Sequence, residues 1–234
     1  MCGRFASTST PDDLAAYFHA VLPTEAALEP SYNVAPTDDV AVVATDRGVR
    51  AVTVMHWGLV PYWAKDPGIG SRMINARAEG IAEKGAFKAA FRHRRCIVAA
   101  DGFYEWRAVP GRKAKQPYFI HRPDGEPYAF AGLWERWRHP GADGGGELRS
   151  TTIVTTTPNE AMAAVHDRMP VILPASAWDR WLDPDVSDPD ALADLLVPAP
   201  SELTVMHPVS TDVGNVRNDG PHLIEPVEPA PPAG

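Results

Sequence analysis

A single α+β domain, built on a curled, mainly antiparallel and barrel-like β-sheet with flanking helices, is the fold class this sequence predicts. Three observations point to it. Short β-branched runs recur from Val40 to Thr156 with turn residues between them; short amphipathic stretches are set among those runs; and no repeat, composition shift or linker divides the 234 residues. One domain is expected over residues 2–224, followed by a disordered Pro-rich tail at 225–234.

The elements follow in order. Leu14, Tyr17 and Phe18, after Thr10-Pro11 and the acids Asp12 and Asp13, read as a short helix with a capped start. Val40 to Ala44 and Val49 to Trp57, around Thr45-Asp46-Arg47-Gly48, give a hairpin. Ala78 to Ala90 reads as an amphipathic helix weakened by Gly80 and Gly85, and Cys96 to Trp106 as one strand. Tyr118–His121 and Tyr128–Arg138, separated by a Pro-Asp-Gly turn, are expected to pair as a second hairpin, with Leu148–Thr156 following a glycine-rich loop at 139–147 that suits a mobile insertion. Thr157-Pro158-Asn159-Glu160 opens a helix capped by the threonine. That helix ends near Val165-His166, where its dipole favours a protonated imidazole. Trp178 to Leu182 and Ala191 to Leu196 are two small peripheral helices.

Composition narrows the function. With 18 glycines and 24 prolines the chain stays below low-complexity disorder, and no apolar run reaches the 18 or so residues of a membrane span. The start, Met-Cys-Gly-Arg-Phe, lacks a signal-peptide core, so a cytoplasmic protein with no membrane partner is expected. Two cysteines, Cys2 and Cys96, support neither a disulfide framework nor a four-ligand zinc cage; no metal and no cofactor are expected. The net charge of −8 disfavours a nucleic-acid partner at first sight. It is, however, concentrated after Asp183, where ten acids face one base, Arg217. Between Arg72 and Arg95 seven bases face only Glu79 and Glu83, a pattern that fits either a phosphate-binding groove or a solvated helix face.

Four polar residues stand out. Cys2 becomes the first residue once Met1 is removed, as is usual before a small second residue. An α-amine and a thiol on one residue then condense with an aldehyde, first as an imine and then as a five-membered thiazolidine; the neighbouring ammonium lowers the thiol pKa. With Met1 retained, that amine is blocked. Asn75 and Arg77 lie one residue apart on an extended segment, so both point to one side and can reach one ligand; a turn residue beside a surface charge would look the same. Glu105, in Asp-Gly-Phe-Tyr-Glu-Trp, has aromatic neighbours that suit a raised pKa and a general acid, although a strand-end glutamate reaching solvent is the commoner case. His166 sits two residues before Arg168. Trp57 and Trp63, in a proline-rich loop, are core residues or a platform for unpaired bases.

Taken together, these segments resemble the SOS response-associated peptidase (SRAP) family of abasic-site processing proteins. The resemblance rests on Met1-Cys2-Gly3-Arg4-Phe5, Tyr32-Asn33-Val34-Ala35-Pro36-Thr37, Trp57-Gly58-Leu59-Val60-Pro61, Asn75-Ala76-Arg77-Ala78-Glu79 and Asp101-Gly102-Phe103-Tyr104-Glu105-Trp106. It continues through Phe130-Ala131-Gly132-Leu133-Trp134-Glu135, His166-Asp167-Arg168-Met169-Pro170 and Val216-Arg217-Asn218-Asp219-Gly220-Pro221. It implies a covalent thiazolidine between Cys2 and the ring-opened sugar of an abasic site in single-stranded DNA, with AP-lyase cleavage as a side path. By the same resemblance Asn75 is expected to orient the amine and sugar, Glu105 to promote ring opening and His166 to assist. Arg4, Arg77 and Arg168 match positions expected to hold flanking phosphates, Asn33 and Pro36 match the loop lining the site, and Trp57 and Trp63 fall in the segment expected to stack on or bend the DNA. A monomer, nucleoid-associated when acting on DNA, is implied. Two other readings stay open: an N-terminal-nucleophile cysteine peptidase or autoprotease, and a non-catalytic binding module.

Overall fold

The computed structural model describes residues 2–23, 28–139 and 146–231. Its strands are β1 (Phe5–Ser7), β2 (Ser31–Val34), β3 (Asp39–Asp46), β4 (Val49–Trp57), β5 (Asn75–Arg77), β6 (Arg95–Ala100), β7 (Gly102–Arg107), β8 (Gln116–His121), β9 (Tyr128–Arg138), β10 (Glu147–Thr156), β11 (Met169–Pro170) and β12 (Val205–Pro208). The α-helices are α1 (Pro11–Tyr17), α2 (Lys88–His93), α3 (Glu160–Ala163) and α4 (Trp178–Leu182). The order β10-β4-β3-β6-β9 returns on itself, because β9 also pairs with β10. Five strands therefore close into a barrel, which leaves no free edge among them. A second sheet, β12-β8-β7-β1-β2, lies beside it. The fold is α+β, as expected; β10 pairs in parallel with β4 and β5, and an isolated parallel bridge joins Val21 to Ala51 of β4.

Period-two alternation sorts the core. Ala41, Val43, Ile97 and Ala99 pack under Phe18 of the α1 terminus, Phe91 of α2 and Trp181 of α4. Val42, Cys96, Val98 and Phe130 face the other way, into a cluster shared with Cys2, Phe5 and Phe103. The second sheet thus covers the barrel on the side that holds the N-terminal residues.

Several elements follow the sequence closely. Thr10 caps α1 by accepting from Asp13 N–H. The β3–β4 hairpin turns through Arg47 and Gly48, both with positive φ, as a tight two-residue turn requires. Other segments differ. The strand expected over Cys96 to Trp106 breaks at Asp101 into β6 and β7, which belong to different sheets. Asp101 Oδ2 accepts from Ser9 N–H at 2.9 Å and its other oxygen from the Ser9 hydroxyl, so the corner is tied to the segment after β1. Gly102 fits there because a Cβ would fall 2.3 Å from the Phe119 ring. The second expected hairpin does not form: β8 pairs with β7 and β12, while β9 pairs with β6 and β10.

The helix expected over Ala78 to Ala90 begins only at Lys88, with a chain of turns before it and Gly80 at φ +74°. Asn159, not Thr157, caps α3, accepting from Met162 N–H. The segment from Glu225, expected to be disordered, has fixed partners: Val227 N–H donates to Pro208 O and Ala230 N–H to Gln116 Oε1. Most of the loop at 139–147, where mobility was expected, lies outside the described residues.

Candidate active site

Sheet pairing brings four distant segments together. β5 runs beside β10 with Asn75 opposite Ile153 and Arg77 opposite Thr155. β11 pairs with the end of the same strand, Pro170 opposite Thr155, which carries His166–Arg168 alongside β5. β1 pairs with β7, Phe5 opposite Phe103, so the residues just before Phe5 lie by the strand that holds Glu105.

The contacts follow from that placement. Asn75 Nδ2 donates to Cys2 O at 2.8 Å, while its buried Oδ1 has no hydrogen-bond partner among the described residues. Cys2 is fully buried. Burial, reinforced by the nearby Glu105 carboxylate, drives its thiol pKa far above the ordinary range, opposite to the lowering expected from an adjacent ammonium. Met1 lies outside the described residues; while it is attached, the Cys2 nitrogen is an amide.

Glu105 is 4% exposed and desolvation pushes its pKa up to about 7. The aromatic residues adjacent in sequence are not the main cause. Tyr104 and Trp106 alternate to the far face of β7, in the cluster with Phe119, and it is the face shared with Phe103 that buries the carboxyl. His166 Nε2 stands 3.9 Å from Glu105 Oε2. Burial lowers the His166 pKa, although the neighbouring Asp167 carboxylate opposes it, so the protonated state expected from the helix terminus is not favoured; α3 has only four residues. His166 Nδ1 accepts from Arg168 N–H at 3.0 Å and also lies 2.9 Å from Asp167 Oδ1. These contacts call for opposite states of Nδ1. The backbone donor is fixed and the Asp167 side chain is 89% exposed, so the neutral ring with its proton on Nε2, facing Glu105, is the consistent tautomer.

The other expected site residues divide. Arg77 is exposed on β5, with buried Ala76 between it and Asn75, so the two polar side chains share a side. Trp63 is 51% exposed beside Tyr62 at 63%. Trp57 corrects the expectation of stacking on DNA: it is fully buried, its ring lies 5.0 Å from Phe5, and its Nε1 donates to Ile74 O. It packs in the same buried cluster as Cys2 and presents no surface to a ligand. Pro36 is half-buried in the turn after β2, and the next residue, Thr37, at φ +80°, donates its N–H to Trp57 O.

Arg4 and Asn33 are also buried, at 9% and 4% exposure, with Arg4 Nη1 donating to Asn33 Oδ1 and to Val213 O at 2.7 Å. Both are committed inside the protein. Arg168 donates from both terminal nitrogens to Glu79, at 2.8 and 2.9 Å, and to Thr155 O at 2.6 Å. Glu79 was legible only as the last letter of its motif; its position two residues after Arg77 gave no sign of a partner 89 residues on. Among the described residues, no three His, Cys, Asp or Glu side chains come together as a metal site, and no helix is long and apolar enough to cross a membrane.

Residues 1–216 match the family described as SOS response associated peptidase (SRAP). The chain belongs to the SRAP family. It is 43% identical over 227 residues to "Abasic site processing protein YoqW" of Bacillus subtilis, covering 96% of this chain and 99% of that one. It is 34% identical over 239 residues to "Abasic site processing protein YedK" of Escherichia coli, covering 97% and 100%. With "Abasic site processing protein HMCES" of Xenopus tropicalis it shares 33% identity over 267 residues, covering 96% and 78%. A crystal structure of a protein from Bacteroides thetaiotaomicron has the same fold, with a TM-score of 0.85 at 25% identity and coverage of 97% and 100%. Four of the motifs that carry the resemblance meet in one region: Asp101–Trp106 crosses from barrel to second sheet, Asn75–Glu79 and His166–Pro170 meet at the end of β10, and Cys2 is bonded to Asn75.

Proposed function

We propose that this protein acts on abasic sites in single-stranded DNA and, after loss of Met1, joins them covalently through Cys2. The observation that carries the proposal is the meeting of Cys2, Asn75, Glu105 and His166 at one place, with Glu105 near pKa 7. The names of the relatives supply the substrate class.

Hydrolysis of the Met1–Cys2 peptide bond frees the Cys2 amine. An abasic sugar exists mostly as the closed hemiacetal. Glu105, close to half-protonated at neutral pH, passes its proton to the ring oxygen while water takes the proton of the anomeric hydroxyl, and the C1′–O4′ bond breaks to give the aldehyde. The amine adds to C1′ and water leaves, giving the imine; the Asn75 Oδ1 acceptor stands ready to orient the amine N–H. The thiol sulfur then adds to the same carbon, its proton passing to the imine nitrogen, and the thiazolidine closes. Neutral His166, with its Nε2 proton toward Glu105, favours the carboxylate that forms when Glu105 gives up its proton. While Met1 is attached, burial keeps the Cys2 thiol protonated, which disfavours a peptidase reading in which that thiolate attacks an amide.

The test uses single-stranded DNA with one abasic site. Wild-type protein lacking Met1 should give a heat-stable adduct in denaturing gels. Cys2→Ser should give only an imine, trapped by borohydride and otherwise lost on heating, and Cys2→Ala should give no thiazolidine. A heat-stable adduct from Cys2→Ala, or from protein whose intact mass retains Met1, overturns the proposal.

A further inference from the structure

Arg4 and Asn33 are buried polar groups whose hydrogen bonds converge on one late segment of the chain. Asn33 Nδ2 donates to Asn215 O at 3.1 Å and Asn218 O at 2.7 Å, and Arg4 Nη1 donates to Val213 O. From the next strand position, Tyr32 N–H donates to Asp219 Oδ1 at 2.7 Å. Three of these bonds reach backbone carbonyls and the fourth reaches the Asp219 side chain, and together they tie the 213–219 segment to edge strand β2 and to the residue before β1. This is a rigid feature, not a stray connection.

What the loop presents is unlike its surroundings. Val216 is 59% exposed and Arg217 is exposed beside it. Arg217 is the single base among ten acids from Asp183 to the end of the chain, and it makes no ion pair among the described residues. Solubility does not need a lone cation on an acidic stretch, and an anionic polymer would be repelled from that stretch without one. The loop is anchored through Arg4, two residues from Cys2.

We infer that Val216 and Arg217 form a further nucleic-acid contact, in which the guanidinium holds a backbone phosphate of the strand entering the Cys2 site and Val216 packs against the adjoining sugar. The buried Arg4 and Asn33 serve this contact by setting the loop, so they are positioning residues and not phosphate ligands. The inference rests on the proposed function, because it takes the polynucleotide as the ligand.

A salt titration of affinity for an undamaged single-stranded oligonucleotide tests it, by fluorescence anisotropy with wild type, Arg217→Ala and Arg217→Lys. Both variants alter an exposed side chain and leave the fold intact. Losing one phosphate contact lowers the slope of log affinity against log salt by about 0.7. Arg217→Ala should show that loss and bind severalfold more weakly, while Arg217→Lys keeps the slope. With abasic oligonucleotide, Arg217→Ala should need proportionally more DNA for half-maximal crosslinking and reach the wild-type rate at saturation. An unchanged slope and affinity, or a reduced saturating rate with unchanged affinity, overturns the inference. A wild type that binds undamaged strands but forms no adduct overturns the proposed function instead.

Discussion

Replacing Glu105 by Gln should stabilise the fold and slow the chemistry at once, and the size of the first effect follows from the site. The carboxyl releases its proton near 4.5 in the unfolded chain and near 7 in the folded one, because burial disfavours the anion. The folded state therefore binds more protons between those values, so stability falls as pH rises from about 4.5 to about 7 and stays reduced above. At about 1.4 kcal/mol per pKa unit, the full loss is about 3 kcal/mol, most of which falls between pH 5 and pH 8. Gln keeps the shape and cannot ionise. Urea unfolding of wild type and Glu105→Gln at pH 5 and pH 8 isolates the effect, since contributions from other groups cancel in the difference. The variant should gain about 2–3 kcal/mol relative to wild type between the two pH values, while its crosslinking rate at pH 7 drops. Parallel pH dependence in the two proteins would show that Glu105 is not held up by burial and would remove the physical basis for its proposed role as acid.

Three further outcomes are expected. Gly102→Ala should lose several kcal/mol, on the order of 3, because the new methyl meets the Phe119 ring at the strand corner; unchanged denaturant midpoints would contradict that packing. Trp63→Ala should weaken binding of single-stranded DNA by about 1–3 kcal/mol with an unaltered salt slope, the mark of a stacking contact, whereas Trp57→Ala should lower stability by about 3–5 kcal/mol, measured by thermal or urea unfolding. Glu79→Gln removes one half of the bidentate pair with Arg168; a changed crosslinking rate that the charge-swapped pair Glu79→Arg with Arg168→Glu restores would separate a geometric role from a purely electrostatic one.

The contrast between Trp57 and Trp63 shows where sequence reasoning runs out. Both lie within seven residues; the expected strand ends at Trp57, but that does not say which side of the sheet the ring covers or what meets it there. Trp57 is the last residue of β4, directed inward by the strand's alternation and sealed by Phe5 and Ile74 from other parts of the chain, while Trp63 follows after the strand has ended and faces solvent. Wherever the deciding partner is local, the sequence suffices: the β3–β4 turn needs only Arg47-Gly48, and α1 needs only Thr10.

Wherever the partner is distant, it does not. The break between β6 and β7 is fixed by Ser9 reaching Asp101 across 92 positions, and β8 and β9 part because each finds another strand. The same distinction governs the site. Cys2, Asn75, Glu105 and His166 are visible as motif residues because their chemistry resides in the side chain itself. Arg4 and Asn33 carry the side chains of phosphate ligands, yet their acceptors lie some 180 to 209 positions away, on the loop that presents Arg217. A buried arginine close to a reactive terminus is thus better read by asking which backbone it holds than which anion it could bind.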